Sequence, residues 1–502
     1  MQVRVSIFSL MKQERRCDNM VRNIFMRKGI FASVFIAMII ATLCGCYKDK
    51  GNYDIALPQE PQITGLDTLY EASVGDSLII TPKISGIDPG SVQCNWRIDV
   101  PEAINPETNH YEGQALRIAF GLEAKRYRAR LTVTNKANGM KYFYNFHIQG
   151  MTAFSRGSLV LSVDNGISKL SFIKPDHSVQ ANIYEIINGE NLPDHPLHIH
   201  YVKNQFTGNT PLGYWIISKN GGVRLDVNNL KKETLKPGTL YDNFFLAPPR
   251  IDVGSLQTYP QGTLLGVING KFYAGATTTW DQSVTYGMFG TFADADYELS
   301  PQFVLSSVDN NFSIIGFEKI KKQFIRINMY GSPMYFGTQY TSVNPEIFDP
   351  TRVGMDLLHM VQINNKDTYA FVKDDAGKVY ELKFTANFNG PFLVTANHKK
   401  LFVHQEWINA DTKMVASRIG YIYVGYQNKV FRYNPLNQQV QELKVNIQSP
   451  VSLLKLDDDE NTLIVGAGGS LYYLDIQVGK DGQLLNKIDG IPGEVVDLTW
   501  RK

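Results

Sequence analysis

Tight turns recur through residues 151–502, and this repeat restricts the fold more than any other feature of the chain. Each unit has an apolar strand, a short Gly/Asn/Asp turn, and a second strand carrying aromatic or branched residues. The turns fall at Asp164-Asn165-Gly166, Asn220-Gly221-Gly222, Asn269-Gly270, Asp374-Asp375-Ala376-Gly377, Gln427-Asn428 and Gly468-Gly469. Gly166, Gly221 and Gly270 are spaced by 55 and 49 residues, and Gly377, Asn428 and Gly469 by 51 and 41. The 107 residues between Gly270 and Gly377 leave room for a degenerate copy around Ile320-Lys321-Lys322. Propeller blades are four-stranded sheets of roughly 40 to 50 residues, so the spacing predicts a β-propeller of seven blades. Amphipathic segments of helical period are nearly lacking, which argues against an α/β enzyme.

Residues 62–150 read as a second all-β region. Period-two runs occur at 77–82, 93–98, 115–120, 127–133 and 142–148, separated by turn-rich phrases such as Gly86-Ile87-Asp88-Pro89-Gly90. Trp96 on a central strand and Tyr127 early in a late one suit an immunoglobulin-like sandwich. Cys94 shares a strand face with Trp96 and Ile98, so it reads as a buried, inert thiol.

The N-terminus has a different character. Arg27 and Lys28 precede Ile30 to Leu43, fourteen residues without a charge. A basic stretch, a short apolar stretch and a small residue at the cut describe a secretory signal, too short for a comfortable transmembrane helix. The ending Leu43-Cys44-Gly45-Cys46 resembles a bacterial lipobox, which implies that Cys46 carries a diacylglyceryl group and heads the mature chain. Residues 1–45 are therefore expected to be a lipoprotein signal peptide, with translation starting at Met20 or Met26, and residues 46–61 a tether. Lys48-Asp49-Lys50-Gly51-Asn52-Tyr53-Asp54 then resembles the start of PKD-like lipoproteins of Bacteroidota, and Tyr127 to Asn135 resembles the penultimate strand of PKD domains. The Asp/Gly-rich PKD hallmark after the tryptophan is absent, since Trp96 is followed by Arg97-Ile98-Asp99. The resemblance therefore implies a divergent PKD-like sandwich over 62–150, ahead of the propeller over 151–502.

Charge and cysteine use narrow the function classes. Removing the seven basic and two acidic residues of 1–45 leaves 43 basic against 46 acidic. No basic stripe remains for nucleic acid, whose binding is dominated by phosphate neutralisation. Past Cys46 only Cys94 remains, so no internal disulfide can form.

Candidate chemistry is sparse. His198 and His200 would share one strand face and, with a carboxylate such as Asp194, could approach a zinc shell; no second ligand pair at recognisable spacing accompanies them, so neither a metal nor another cofactor is expected. Asp457-Asp458-Asp459-Glu460 lacks the alternation of a calcium loop and reads as a solvated turn. Nucleophile elbows, zincin motifs, P-loops and dinucleotide fingerprints are missing. Trp280 and Trp407, each flanked by polar residues, are the candidate ligand-binding platforms for a sugar ring or peptide side chain, with packing between blades as the alternative.

By resemblance, such lipoproteins occur with TonB-dependent transporters and SusD-like partners. The expected function is a non-catalytic, lipid-anchored protein of the outer membrane, on its surface or its periplasmic face, capturing a glycan or peptide for uptake. A propeller glycoside hydrolase or lyase, with carboxylates set apart by the fold, is the enzymatic alternative. A scaffold that only supports the transporter is the other.

Overall fold

The computed structural model describes residues 60–100, 109–277, 283–306, 313–329, 332–364 and 366–501. Contacts divide the chain into two units, residues 1–62 with 84–89 and residues 63–83 with 90–502. In the described part of the first, Ser85 Oγ donates to the Gln62 carbonyl at 3.4 Å. Everything that follows lies in the second unit.

Its N-terminal part is a two-sheet arrangement. One sheet runs in the order Leu69–Ser73, Lys141–Met151, Arg126–Asn135, Val92–Asp99, His110–Glu112. The first pair is parallel and the others antiparallel. Ser77–Ile80 and Leu116–Ala119 pair separately. Alternation along Val92–Asp99 sends Val92, Cys94, Trp96 and Ile98 inward. Trp96 Nε1 donates to the Gly113 carbonyl at 2.8 Å, and its ring meets Phe146 edge-on. Tyr127 Oη donates to the Glu123 carbonyl four residues upstream at 3.0 Å, the tyrosine corner of immunoglobulin-like sandwiches. Burial pushes the Cys94 thiol pKa up, so the group stays protonated and unreactive.

From Gly157 to Arg501 the described strands form seven antiparallel-cored sheets in succession. Their innermost strands are Glu494–Arg501, Pro196–Asn204, Val253–Tyr259, Leu299–Leu305, Asp356–Ile363, Lys413–Ala416 and Val451–Leu456. Each packs against the next, and Val451–Leu456 packs back onto Glu494–Arg501, so the series closes into a ring. Closure is made by the chain's end: Glu494–Arg501 pairs antiparallel with Gly157–Asp164, supplying the inner strand of the first sheet. A ring leaves no open edge at its seam. All seven sequence-read hairpins are present as the turns between second and third strands, including the degenerate one between Ser313–Glu318 and Gln323–Asn328. Asn165, Asn269 and Gln427 take left-handed backbone there, with φ of 50°, 53° and 52°.

The packing explains why the central strands read as unbroken apolar runs. One hydrophobic cluster fills each cleft between neighbouring sheets, seven in all among the described residues. A sheet covered on both faces buries successive residues, as in Thr263–Ile268 and Ser313–Glu318, where every residue is buried. The second and third sheets hold three strands, their outer edges capped by isolated bridges Leu225–Lys232, Val223–Thr239 and Gly275–Phe289.

Candidate functional site

Six of the seven inner strands carry an irregularity in their pairing. Register shifts interrupt the pairing at Pro196/His198, Val253/Ser255, Leu299/Phe303, Leu357/His359 and Val451/Leu453. A sixth, opposite Leu161/Ser162, skips Val496. Such bulges bend a strand and re-aim the residue that follows. In three sheets that residue is titratable: His198, His359 and Asp497. His200 lies two residues past His198 on the same face, with the ring centroids 5.7 Å apart. Lys413 and Lys455 come from the two remaining inner strands of the cluster.

These side chains come from five different sheets, yet they feel one another. Lys455 Nζ lies 2.7 Å from Asp497 Oδ1, and the Ile199 amide donates to Asp497 Oδ2 at 3.0 Å. His198 Nδ1 is 3.9 Å from that same oxygen. The Lys413 charge acts on His198 of the second sheet and on His359 of the fifth, although Lys413 sits in the sixth. Groups from non-adjacent blades can meet only where the inner strands converge, so the cluster lies at the axis of the ring.

Electrostatics follow from this crowding. Burial drives His200 down to about 3, aided by His198, and drives His359 down to about 4, aided by Lys413. His198 is also depressed by burial, partly offset by Asp497. Its side chain retains 36% exposure. Burial pushes Asp497 up, but Lys455, His198 and the Ile199 amide together hold it below the usual carboxylate range. At neutral pH the imidazoles are uncharged and the Asp497–Lys455 pair cancels. Lys413 is exposed and makes no ion pair among the described residues, leaving one positive charge at the axis.

Two nitrogens stand out. His200 Nε2 and His359 Nδ1 are buried atoms without a hydrogen-bond partner. The Leu256 backbone raises the His200 pKa, but by less than burial lowers it. An unmade hydrogen bond on a buried polar atom costs about 1–3 kcal/mol.

The sequence-read candidates fare differently. His198 and His200 do share a face, but the carboxylate beside them is Asp497 of the C-terminal strand, while Asp194 is exposed. Among the described residues no three His, Cys, Asp or Glu gather closely enough to hold a metal. Trp407 is a correction: it is only 6% exposed, stacks on His404 at 3.8 Å and on Phe431 at 4.2 Å, and belongs to the core between the fifth and sixth sheets. Its polar flanks form the outside of a short 3-10 turn, and the ring itself is not available as a platform. Trp280 and Cys46 lie outside the described residues. Asp457 to Glu460 form a turn, Asp457 Oδ1 accepting the amides of Asn461 and Thr462 and Glu460 engaging Arg418. His359, Lys413, Lys455 and Asp497 were missed. A signal existed: Leu197-His198-Ile199 and Leu358-His359-Met360 repeat one phrase at the same point of two inner strands.

Strand order and ring closure thus define an all-β protein, an immunoglobulin-like sandwich followed by a propeller with a polar axis. Its N-terminal part is PKD-like: the model of the PKD-like family matches residues 46–196. The match runs past the sandwich through the outer three strands of the first propeller sheet. No curated protein matches this sequence. Among solved structures, a quinonprotein alcohol dehydrogenase-like protein from Bacteroides thetaiotaomicron is 12% identical, covering 88% of this chain and 99% of that one at a TM-score of 0.35. A functionally unknown protein from Desulfotomaculum acetoxidans is 14% identical, with 69% and 99% covered and a TM-score of 0.39. A dihydro-heme d1 dehydrogenase is 7% identical, with 74% and 73% covered and a TM-score of 0.39. At such identities and scores none of them assigns an activity to this chain.

Proposed function

We propose that this protein is a binding or accessory protein of the cell envelope, anchored through acylated Cys46, that captures a glycan or peptide for a TonB-dependent transporter with a SusD-like partner. Placement at the outer membrane follows from the lipobox-like ending at Cys46 and the PKD-like resemblance of the residues after it. The observation that best supports a binding role is the axial cluster. Among the described residues the carboxylate of that cluster, Asp497, is already held by Lys455 and the Ile199 amide, whereas two imidazole nitrogens have no hydrogen-bond partner and Lys413 makes no ion pair. A glycosidase needs two carboxylates with separate roles, and this arrangement offers one that is spent. Fold alone does not choose among functions, so the reading leans on the site.

Two measurements test it. Fractionation and intact-mass analysis of Cys46 should find the protein in the outer membrane with a lipid-modified thiol; a free thiol in the cytosol overturns the placement. A glycan and peptide array probed with the full chain, with product release followed in parallel, should show binding without turnover. Release of product from any polymer that binds would make the protein an enzyme instead.

A further inference from the structure

We infer that the solvent side of the sandwich's five-stranded sheet binds an acidic glycan, a polymer carrying uronate or sulfate groups. This names a ligand class for the capture role proposed above, at a place outside the propeller, and rests on that role. The placement of four arginines, their lack of partners and a hollow between them lead there.

Alternation along Arg126–Asn135 buries Tyr127, Ala129, Leu131 and Val133 and leaves Arg126, Arg128 and Arg130 exposed on the other face. Residues two apart on one side of a strand stand about 6.8 Å apart, so the three form a row about 14 Å long. Arg97 of the neighbouring strand is directly opposite Arg130 and widens the row. Like charges set opposite each other destabilise a sheet, so the fold gains nothing from this arrangement. Nor is it the overflow of a basic chain, because residues after 45 hold 43 bases against 46 acids. The charge is local.

The acids nearby are already engaged. Asp99 stands opposite Arg128, but its carboxylate lies 2.8 Å from Arg97 Nε. Glu71 accepts from Arg156, just ahead of the propeller, at 3.0 Å. Arg130 Nε donates to the neutral Asn145 Oδ1 at 2.9 Å. Among the described residues Arg126 and Arg128 make no ion pair and no side-chain hydrogen bond. The row therefore presents cationic donors to solvent and keeps little opposing charge for them.

A hollow of about 400 Å³ opens between Arg97, Asp99, Arg128, Arg130, Asn145 and His147. Guanidinium forks match the paired oxygens of an oxyanion, and their repeat along a strand suits a repeated anion more than a single one. Asn145 and His147 stand beside them, on the same face of the next strand, as hydrogen-bonding groups for sugar hydroxyls. A single-stranded nucleic acid also repeats its charge, but its binding sites add open aromatic faces for the bases. The exposed ring on this face, Phe143, is instead covered by the Arg130 guanidinium, 5.3 Å from its centroid.

The test is calorimetric titration of the full-length protein, in neutral detergent at pH 7, with polygalacturonate, dextran sulfate and their uncharged counterparts, methyl-esterified pectin and dextran. At least one polyanion should bind about tenfold or more tightly than its counterpart, which is about 1.4 kcal/mol. Preference between the two tells carboxylate from sulfate. Raising sodium chloride from about 50 to about 200 mM should weaken that binding by about tenfold, as neutralised charges release fewer counterions into a saltier solution. Arg128→Gln should weaken it by about tenfold, and the triple variant Arg126→Gln, Arg128→Gln, Arg130→Gln by about a hundredfold or more. Melting temperature should hold or rise in both, because exposed, mutually repelling charges are removed. Arg128→Lys, which keeps the charge and loses the fork, should fall between wild type and Arg128→Gln. Parity of charged and uncharged polymers, undiminished affinity in Arg128→Gln, or tighter binding of a thymidine oligonucleotide than of either polyanion would each overturn the assignment. Capture on the array that survives the triple variant would leave the binding role standing and sink this face alone; absence of capture would sink the role itself.

Discussion

At the scale of single residues, polar neighbours in sequence misrepresent where a side chain sits. Trp407 lies among His404, Gln405, Glu406 and Asn409, a setting that suggests an exposed ring. The fold turns that segment inward, and the indole becomes a slab between His404 and Phe431. Removing a buried ring of this size loses its transfer free energy and leaves a cavity. Trp407→Ala should therefore cost about 3–5 kcal/mol in denaturant unfolding. Unchanged stability together with lost glycan or peptide binding would restore Trp407 as a ligand platform.

At the scale of elements, the strand that matters most is the last. Glu494–Arg501 pairs with Gly157–Asp164 and carries Asp497 to the axis, so ring closure and site assembly are one event. Entry into this strand depends on Gly493, whose φ of +69° suits glycine and where an added Cβ would stand 2.1 Å from the Val163 carbonyl oxygen. Left-handed backbone on a non-glycine residue costs about 1–3 kcal/mol, before any displacement of Val163. Gly493→Ala is expected to destabilise by at least that amount and to lower hydrogen-exchange protection in residues 157–164. Wild-type protection there would mean that the seam tolerates the change. The seven hairpins, by contrast, were legible one by one, because a tight turn between apolar strands is a local signal. The bulges that aim His198, His359 and Asp497 were not, since a bulge is defined by its partner strand.

At the scale of the whole molecule, seven blades bring ionisable groups together on one axis and keep three imidazoles neutral. The consequence is an acid sensitivity whose sign is fixed by the direction of the shifts. The folded pKa values of His198, His200 and His359 lie below the unfolded value near 6.5, so the unfolded chain binds more protons as pH falls. The stability they contribute is complete above about 6.5 and is lost progressively toward about 4 and about 3. His200 and His359 each steepen the fall by up to about 1.4 kcal/mol per pH unit, and His198, with a side chain 36% exposed, by less. Asp497, held below its usual range, adds a loss at the acid end of the same window. The facing cations Lys413 and Lys455 oppose imidazole protonation. Denaturant midpoints measured from pH 7 to pH 4.5 should fall, and His359→Leu should flatten the slope. A midpoint that is level or rises on acidification would show the imidazoles to be hydrated in the folded state.

Read alone, the chain determined its all-β class, its hairpin repeat, the buried face of Cys94, Trp96 and Ile98, and the absence of any familiar catalytic motif. These depend on period, turn chemistry and composition, which are written within a few residues. The tertiary structure alone decided which polar side chains meet. His198, His359, Lys413, Lys455 and Asp497 lie far apart along the polypeptide, and only closure of the ring makes them neighbours. Even the repeated Leu-His phrase gains meaning only once both copies are known to be inner strands, because the axis exists for the assembled ring and for no single blade.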